Sequence, residues 1–404
     1  MTRARIVRRH TALLALAQAS IWLTTGVFVA AGPIALVQLT ARPFLSGFLF
    51  TIWSLFVAIG AQITGLSMDR FGRRPGLALG QGLLFLASLV AAVAVSGPSA
   101  PGLLLSAMIA GFGAGGALLG RTAIGDMYTP DRRGLALGFL LAAGTAGAIV
   151  GPQVVNIMRA LFAGSQTNAF ARAWLTAAAV SAIAFGCVMA LRPDPRELAG
   201  GPSARTVTGR PLPALLSLTP IRAAVIVIAL AQMAMVAIMA VTAVALRSYG
   251  IGLVTLVLSA HFGGMFAFAP VWGAALDVRG RRQALLAAGG LTVGGALLAC
   301  LAPQVGLSGF GVFLVGIGWS GAYVGATTVI SDFTSARERG TVLGFADLAS
   351  SGAGAAGASL GGLLIQASGF PAVGIVMAIL LLPAVGLVVA MPRRAWTPVQ
   401  RQPA

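Results

Sequence analysis

Long stretches in which almost every position is hydrophobic alternate along the chain with short stretches that hold nearly all of the charge. The hydrophobic stretches run about 20 residues, the length an α-helix needs to cross a hydrocarbon core of about 30 Å. Breaks at charged, proline and glycine clusters divide the sequence into twelve of them. They cover 12–32, 44–68, 76–96, 102–126, 134–157 and 171–191, then 219–244, 252–276, 283–302, 306–328, 340–365 and 370–391. Between the sixth and the seventh, Arg192 to Ser217 is polar and rich in Pro and Gly, the composition of a flexible linker. The pattern predicts an all-α membrane protein with a six-helix half at 1–191, a linker at 192–217 and a second six-helix half at 218–404.

Composition supports this. Only 9% of the 404 residues are charged and 58% are hydrophobic, with a mean hydropathy of +0.93. A soluble domain carries about 25% charged residues. All 27 basic residues are arginine, against 9 acids. In a soluble chain a net charge of +18 would suggest a nucleic-acid partner, but here the charges sit between spans. The absence of lysine excludes a P-loop, whose Lys must reach the nucleotide phosphates.

Arginine placement sets the orientation. With the N-terminus inside, 22 arginines fall in the tails, the linker and the even-numbered loops. Only Arg42, Arg159, Arg172 and Arg247 fall outside, and Arg121 stands within a span. Both termini are therefore expected in the cytoplasm, in a bacterial inner membrane with the lipid bilayer as surroundings. The basic N-terminus followed by an apolar run has the look of a secretory signal. The run continues past Gly32 without a cleavage context, however, and reads as the first span. Cys187 and Cys300 lie inside apolar runs and read as small buried hydrophobes. Two isolated His, two isolated Cys and nine acids offer no metal or triad spacing, so no enzyme, cofactor or metal is expected.

The sequence also repeats itself. Asp69 and Asp277 are 208 residues apart, as are Gly72 and Gly280, Arg73 and Arg281, and Arg74 and Arg282. Asp126 and Asp332 are 206 apart, as are "RGLALGF" from Arg133 and "RGTVLGF" from Arg339. The stretch from Gly65 to Arg74 reads Gly-x-x-x-Asp-Arg-x-Gly-Arg-Arg, and its second copy, from Gly273 to Arg282, departs only at Val278. Two parallel six-span halves carrying this loop twice resemble the major facilitator transporters over nearly the whole chain.

In local terms, Asp69 ends span 2, Gly72 permits a tight turn, and Arg70 and Arg73 hold the loop inside. Asp126 ends span 4 at the same level, so an Arg73–Asp126 pair would staple two spans; Asp277, Gly280, Arg281 and Asp332 repeat the arrangement. The resemblance implies a gating network that steadies the outward-open state and breaks as the halves rock. The plainer reading is that these charges only set topology.

Three ionisable groups stand inside spans, where charge is expensive. Arg121 lies about 8 Å from the inner boundary and Asp347 about 10 Å, counting 1.5 Å per residue. The resemblance places spans 2 and 11 along one seam with span 4 nearby, implying an Arg121–Asp347 latch that couples transport to protons. Alternatively, Asp347 pairs with loop arginines. His261 lies about 24 Å deep and reads as a proton site, a cargo hydrogen-bond donor or a packing residue. Span 1 carries no acid, which departs from many proton antiporters of the superfamily.

Span 5 contains Gly147, Gly151 and Pro152, resembling an antiporter motif whose last two glycines are replaced here by Val154 and Val155. Close helix packing explains these residues equally well. The resemblance makes spans 1, 4, 7 and 10 line the cavity. Gln18, Trp22 and Thr25 share one face of span 1. Span 10 offers Trp319 and Tyr323, and span 7 offers Gln232 and Met239. Such a lining suits a small apolar or aromatic solute, unless the tryptophans are interfacial anchors. The expected function is proton-coupled efflux by a monomeric secondary transporter. Uptake of an aromatic nutrient such as a flavin, and a non-transporting scaffold of the same fold, are the alternatives.

Overall fold

The apolar runs fold as helices because in lipid every backbone N–H and C=O must find its partner within the protein. The computed structural model describes residues 2–128, 130–162, 164–198, 210–334 and 336–396. No strand occurs among them. The first helices are α1 (Arg3–Thr40), α2 (Phe44–Phe71), α3 (Arg73–Ser96), α4 (Ala100–Ala117), α5 (Gly120–Met127), α6 (Pro130–Leu161) and α7 (Gln166–Met189). After them come the short α8 (Leu212–Leu216), then α9 (Thr219–Ala245), α10 (Ile251–Ala267), α11 (Ala269–Arg279), α12 (Arg281–Leu301), α13 (Val305–Phe333) and α14 (Ala336–Ala390).

Among the described residues nine helices are long and apolar enough to cross a membrane, or ten if α10 and α11 count as one bent span. That bend is 41°. It falls just before Pro270, which lacks the N–H needed to continue the ladder. α4 and α5 are separated only at Leu118 and Leu119. The 55 residues of α14 would measure about 80 Å as one straight helix. It is instead broken at Gly369, with φ 78°, two residues before Pro371. α1 starts nine residues before the expected span, so the N-terminal arginines belong to the helix. Of the linker, Pro195–Leu198 form a 3-10 turn and Leu212–Leu216 form α8. Residues 199–209 lie outside the described residues.

The chain divides into two compact units. The first comprises Met1–Ser203 with Ala243–Ser259, and the second Ala204–Thr242 with Ala260–Ala404. In the first unit α1 lies against α6 and α7, α3 against α4 and α7, and α2 against α4. The segment Ala243–Ser259 is tied in by Ser259, which donates to the Ile149 carbonyl at 2.7 Å and accepts from Gln153 at 3.0 Å. In the second unit α12 packs on α13 and α14.

Helix crossings in both units rest on glycine. A β carbon at Gly147 would collide with the Ala19 carbonyl, and one at Gly26 would lie 2.8 Å from the Gly151 Cα and 2.6 Å from Pro152. In the second unit a β carbon at Gly357, 206 residues after Gly151, would collide with the Met233 carbonyl.

Candidate functional site

The loop between α2 and α3 turns at Gly72, whose φ of 100° and ψ of 170° is open essentially to glycine alone. Just beyond it, Arg73 Nε donates to Asp126 Oδ2 at 2.7 Å, with the two side chains 17% and 24% exposed. Met68, Leu77 and Ile124, close in sequence to the pair, belong to a buried core that also draws Leu140 and Val188 from α6 and α7. At those exposures the ion pair is partly shielded from solvent, where its attraction exceeds that of a fully solvated pair. Arg70 is exposed, with its guanidinium 5.2 Å from the Phe71 ring centroid. The Asp69 side chain lies outside the described residues.

The second unit repeats this geometry. Gly280 has φ 85°, and Arg281 Nε donates to Asp332 Oδ2 at 2.9 Å, with exposures of 17% and 22%. The same arginine donates to the Leu276 carbonyl at 3.1 Å and lies 3.7 Å from the exposed Asp277.

Two contacts escaped the sequence reading. Asp194 accepts the backbone N–H of Arg73 at 3.1 Å and of Arg74 at 2.9 Å, placing a carboxylate at the N-terminus of α3. Arg210 clasps Glu338 through Nε at 2.8 Å and Nη2 at 3.0 Å, while its backbone N–H donates to the same carboxylate. Both Asp194 and Arg210 come from the stretch read as a linker. Their partners lie more than a hundred residues away in sequence. The one available signal was an acid five residues after α7 in a proline-rich context, near helix ends that need anions.

Of the groups inside spans, Arg121 is exposed in α5 of the first unit, and Asp347 is half-buried in α14 of the second. His261 is fully buried, and its Nδ1 lies 2.7 Å from the Val312 carbonyl. A carbonyl only accepts, so Nδ1 carries a proton and donates it. His261 also stands beside Gly316, where a β carbon would come within 3.1 Å of Nδ1. It thus brackets α10 to α13.

Among the expected cavity residues, Gln18 and Trp22 flank Gly144 of α6, where a β carbon would lie 2.8 Å from the indole. The Thr25 hydroxyl donates to the Ile21 carbonyl at 2.8 Å, within its own helix. Met239 is buried in α9. In the second unit Trp319 donates its indole N–H to Gln232 Oε1 at 2.5 Å and stacks on Tyr323, with centroids 5.3 Å apart and planes 24° from parallel. Phe266 meets the indole edge-on at 6.4 Å. Gln232, Trp319 and Tyr323, picked from two separate spans, therefore form one cluster.

An all-helical chain with apolar spans, built of two units that carry the same charged loop, has the architecture of a solute transporter. The family model of the Major Facilitator Superfamily matches residues 14–258 and 224–403. The chain belongs to that superfamily. An uncharacterised transporter of the same type from Bacillus subtilis, YddS, is 32% identical over 367 residues, covering 86% of this chain and 81% of its own. The riboflavin transporter RfnT of Brucella anthropi is 27% identical over 404 residues, covering 94% of this chain and 97% of its own. The crystal structure of the nucleoside transporter NupG matches with a TM-score of 0.73 over 94% of this chain and 98% of that one. At 15% identity this last likeness shows the fold alone. The chain is a multi-pass membrane transporter and not an enzyme.

Proposed function

We propose that the chain is a secondary transporter that moves a small planar aromatic solute by alternating access, coupled to protons. The observation that carries this reading is the Trp319–Tyr323 stack, whose indole N–H is held by Gln232. An interfacial anchor would turn that N–H toward lipid headgroups. Here it is satisfied inside the protein, leaving a preformed aromatic platform suited to a flat solute. Tyr323 and Gln232 are both partly exposed, as a platform requires.

In this reading the Arg73–Asp126 and Arg281–Asp332 pairs, with Asp69, Arg70, Gly72, Asp277 and Gly280 around them, form the gating network. Asp347 is the proton-coupling carboxylate of this reading, since ionising it within a span away from a cation is costly. His261 has its Nδ1–H engaged by a carbonyl and serves as a helix bracket.

The antiporter-like motif of Gly147, Gly151 and Pro152 points to efflux. Contacts with Ala19 and Gly26 account for those residues through packing. A second reading, entry of a flavin, is favoured by the resemblance to a riboflavin transporter across nearly the whole chain.

The test is counterflow in proteoliposomes with riboflavin and a panel of other aromatic solutes, with and without a pH gradient of either sign. Accumulation of a planar aromatic solute, weakened by Trp319→Ala, supports the proposal, and the productive sign of the gradient gives the direction. Asp347→Asn should abolish pH-driven accumulation while leaving counterflow, which needs no net proton movement. Counterflow of no aromatic solute would overturn the proposal and leave a transporter of another class of solute. Wild-type coupling in the Asn variant would remove Asp347 from the mechanism.

A further inference from the structure

In the orientation set by arginine placement, Arg42, Arg159, Arg172 and Arg247 are the only charged residues of the face opposite the Arg73 loop, for none of the nine acids stands there. Three of these four arginines meet in one place. A cavity of about 330 Å³ within the first unit is lined by Arg159, Phe162 and Ser165, and by Arg247, Gly250 and Ile251. The guanidinium of Arg172 lies 3.8 Å over the Phe162 ring.

Local structure adds to the positive character. Ser165 is the N-cap of the 24-residue α7, and its hydroxyl accepts from the Asn168 N–H. Ile251 is the first residue of the 17-residue α10. Two helix N-termini, each with unsatisfied N–H groups and the positive end of a macrodipole, thus border the same cavity. Among the described residues neither Arg159 nor Arg247 has a carboxylate partner. Two guanidinium groups lining one cavity repel each other until an anion lies between them, and their planar forks match a carboxylate or phosphate. The Phe162 ring supplies an apolar wall beside that charge.

We propose that this cavity is an anion site, which takes a molecule bearing a single phosphate or carboxylate joined to an apolar body. It shares no residue with the Trp319–Tyr323 platform and does not depend on what that platform carries. Two sources supply this chemistry from the outer side, an anionic lipid headgroup and a free organic acid.

The experiment uses the full chain in nanodiscs. One arm measures benzoate binding by equilibrium dialysis in phosphatidylcholine discs. The other counts retained phosphatidylglycerol by native mass spectrometry, from discs that mix it with phosphatidylcholine. The variants are Arg159→Ala and Arg247→Ala, singly and together, with Arg42→Ala as a control that is charge-matched to each single variant and is not among the cavity's lining residues. Wild type and Arg42→Ala should bind in at least one arm, and the double variant about tenfold more weakly or not at all. Loss in the benzoate arm alone assigns a soluble acid, loss in the lipid arm alone assigns a headgroup, and loss in both supports the shared chemistry. Binding by neither probe in wild type, equal binding by the double variant, or an equal loss in Arg42→Ala would overturn the proposal. Should the double variant fail to fold, the single variants Arg159→Gln and Arg247→Gln decide by the same comparison.

Discussion

The loops that open α3 and α12 are two copies of one device, and they differ in how the helix that follows is capped and anchored. Both turn at a glycine with positive φ, and both then send an arginine Nε to the aspartate that closes a later span, at 2.7 and 2.9 Å. Among the described residues only the first has a carboxylate on its helix N-terminus, supplied by Asp194 from the single linker. In the second copy the arginine after the turn works in the opposite sense. Arg282 donates to the carbonyls of Val388 and Val389 at 3.2 and 2.9 Å, near the end of α14. The corresponding contact of Arg74 is made by its backbone. Duplication thus copied the stitch between spans, whereas helix capping was solved separately in each half. The linker contributes an anion to the first unit through Asp194 and a cation to the second through Arg210.

The largest effect should come from breaking what the copies share. Arg73→Ala and Arg281→Ala should each lower the initial transport rate about tenfold or more at equal membrane abundance, if the stitches help set the balance of two states. Wild-type rates in both variants would reduce the stitches to topology signals. Next comes the turn itself. Gly72→Ala and Gly280→Ala both put a side chain in a glycine-only region, at about 1–3 kcal/mol. At Gly72 the new β carbon would also lie 2.7 Å from Asp194 Oδ2, whereas nothing stands within 4 Å at Gly280. The Gly72 variant should therefore show the larger fall in melting temperature in detergent, and equal falls would mean that Asp194 yields without loss. The smallest effects separate the caps. Arg282→Ala should destabilise by about 1 kcal/mol through the two lost carbonyl bonds. Arg74→Ala should stay within about 0.5 kcal/mol, since its capping contact is a backbone N–H that alanine keeps. Denaturant titration of the two variants side by side measures the difference.

What the sequence made legible was whatever rarity or repetition marked. In a chain that is 9% charged, an acid and an arginine repeated at the same offset stand out, and so Arg73, Asp126, Arg281 and Asp332 could be paired on paper. Helix existence was equally plain, since apolar length alone dictates it. Breaks followed where proline or glycine forced them, near Pro270 and at Gly369. Asp194 and Arg210 were not legible, because a carboxylate in a proline-rich linker looks the same whether it is solvated or caps a helix 120 residues away in sequence. Gln18 and Trp22 of span 1 meet one neighbour, Gly144. Periodicity gives a residue's direction without naming its neighbour, so it did not show that Gln18 and Trp22 would meet Gly144.

The crossing of α1 and α6 has a consequence for inheritance. Gly26 and Gly151 meet backbone to backbone, whereas at the equivalent crossing of α9 and α14 the partner of Gly357 is Met233. Every codon change away from glycine adds a β carbon, so neither Gly26 nor Gly151 has a tolerable neighbour in the genetic code, and a change at one cannot be rescued by shrinking the other. Met233 has several, since it meets the glycine through its carbonyl and through the Cγ of a side chain whose unbranched thioether adapts to its surroundings. The two halves of an ancient duplication should therefore drift at unequal rates along otherwise matching helices. A saturation library at position 26 should return glycine alone among active clones, and one at position 233 a set of apolar residues.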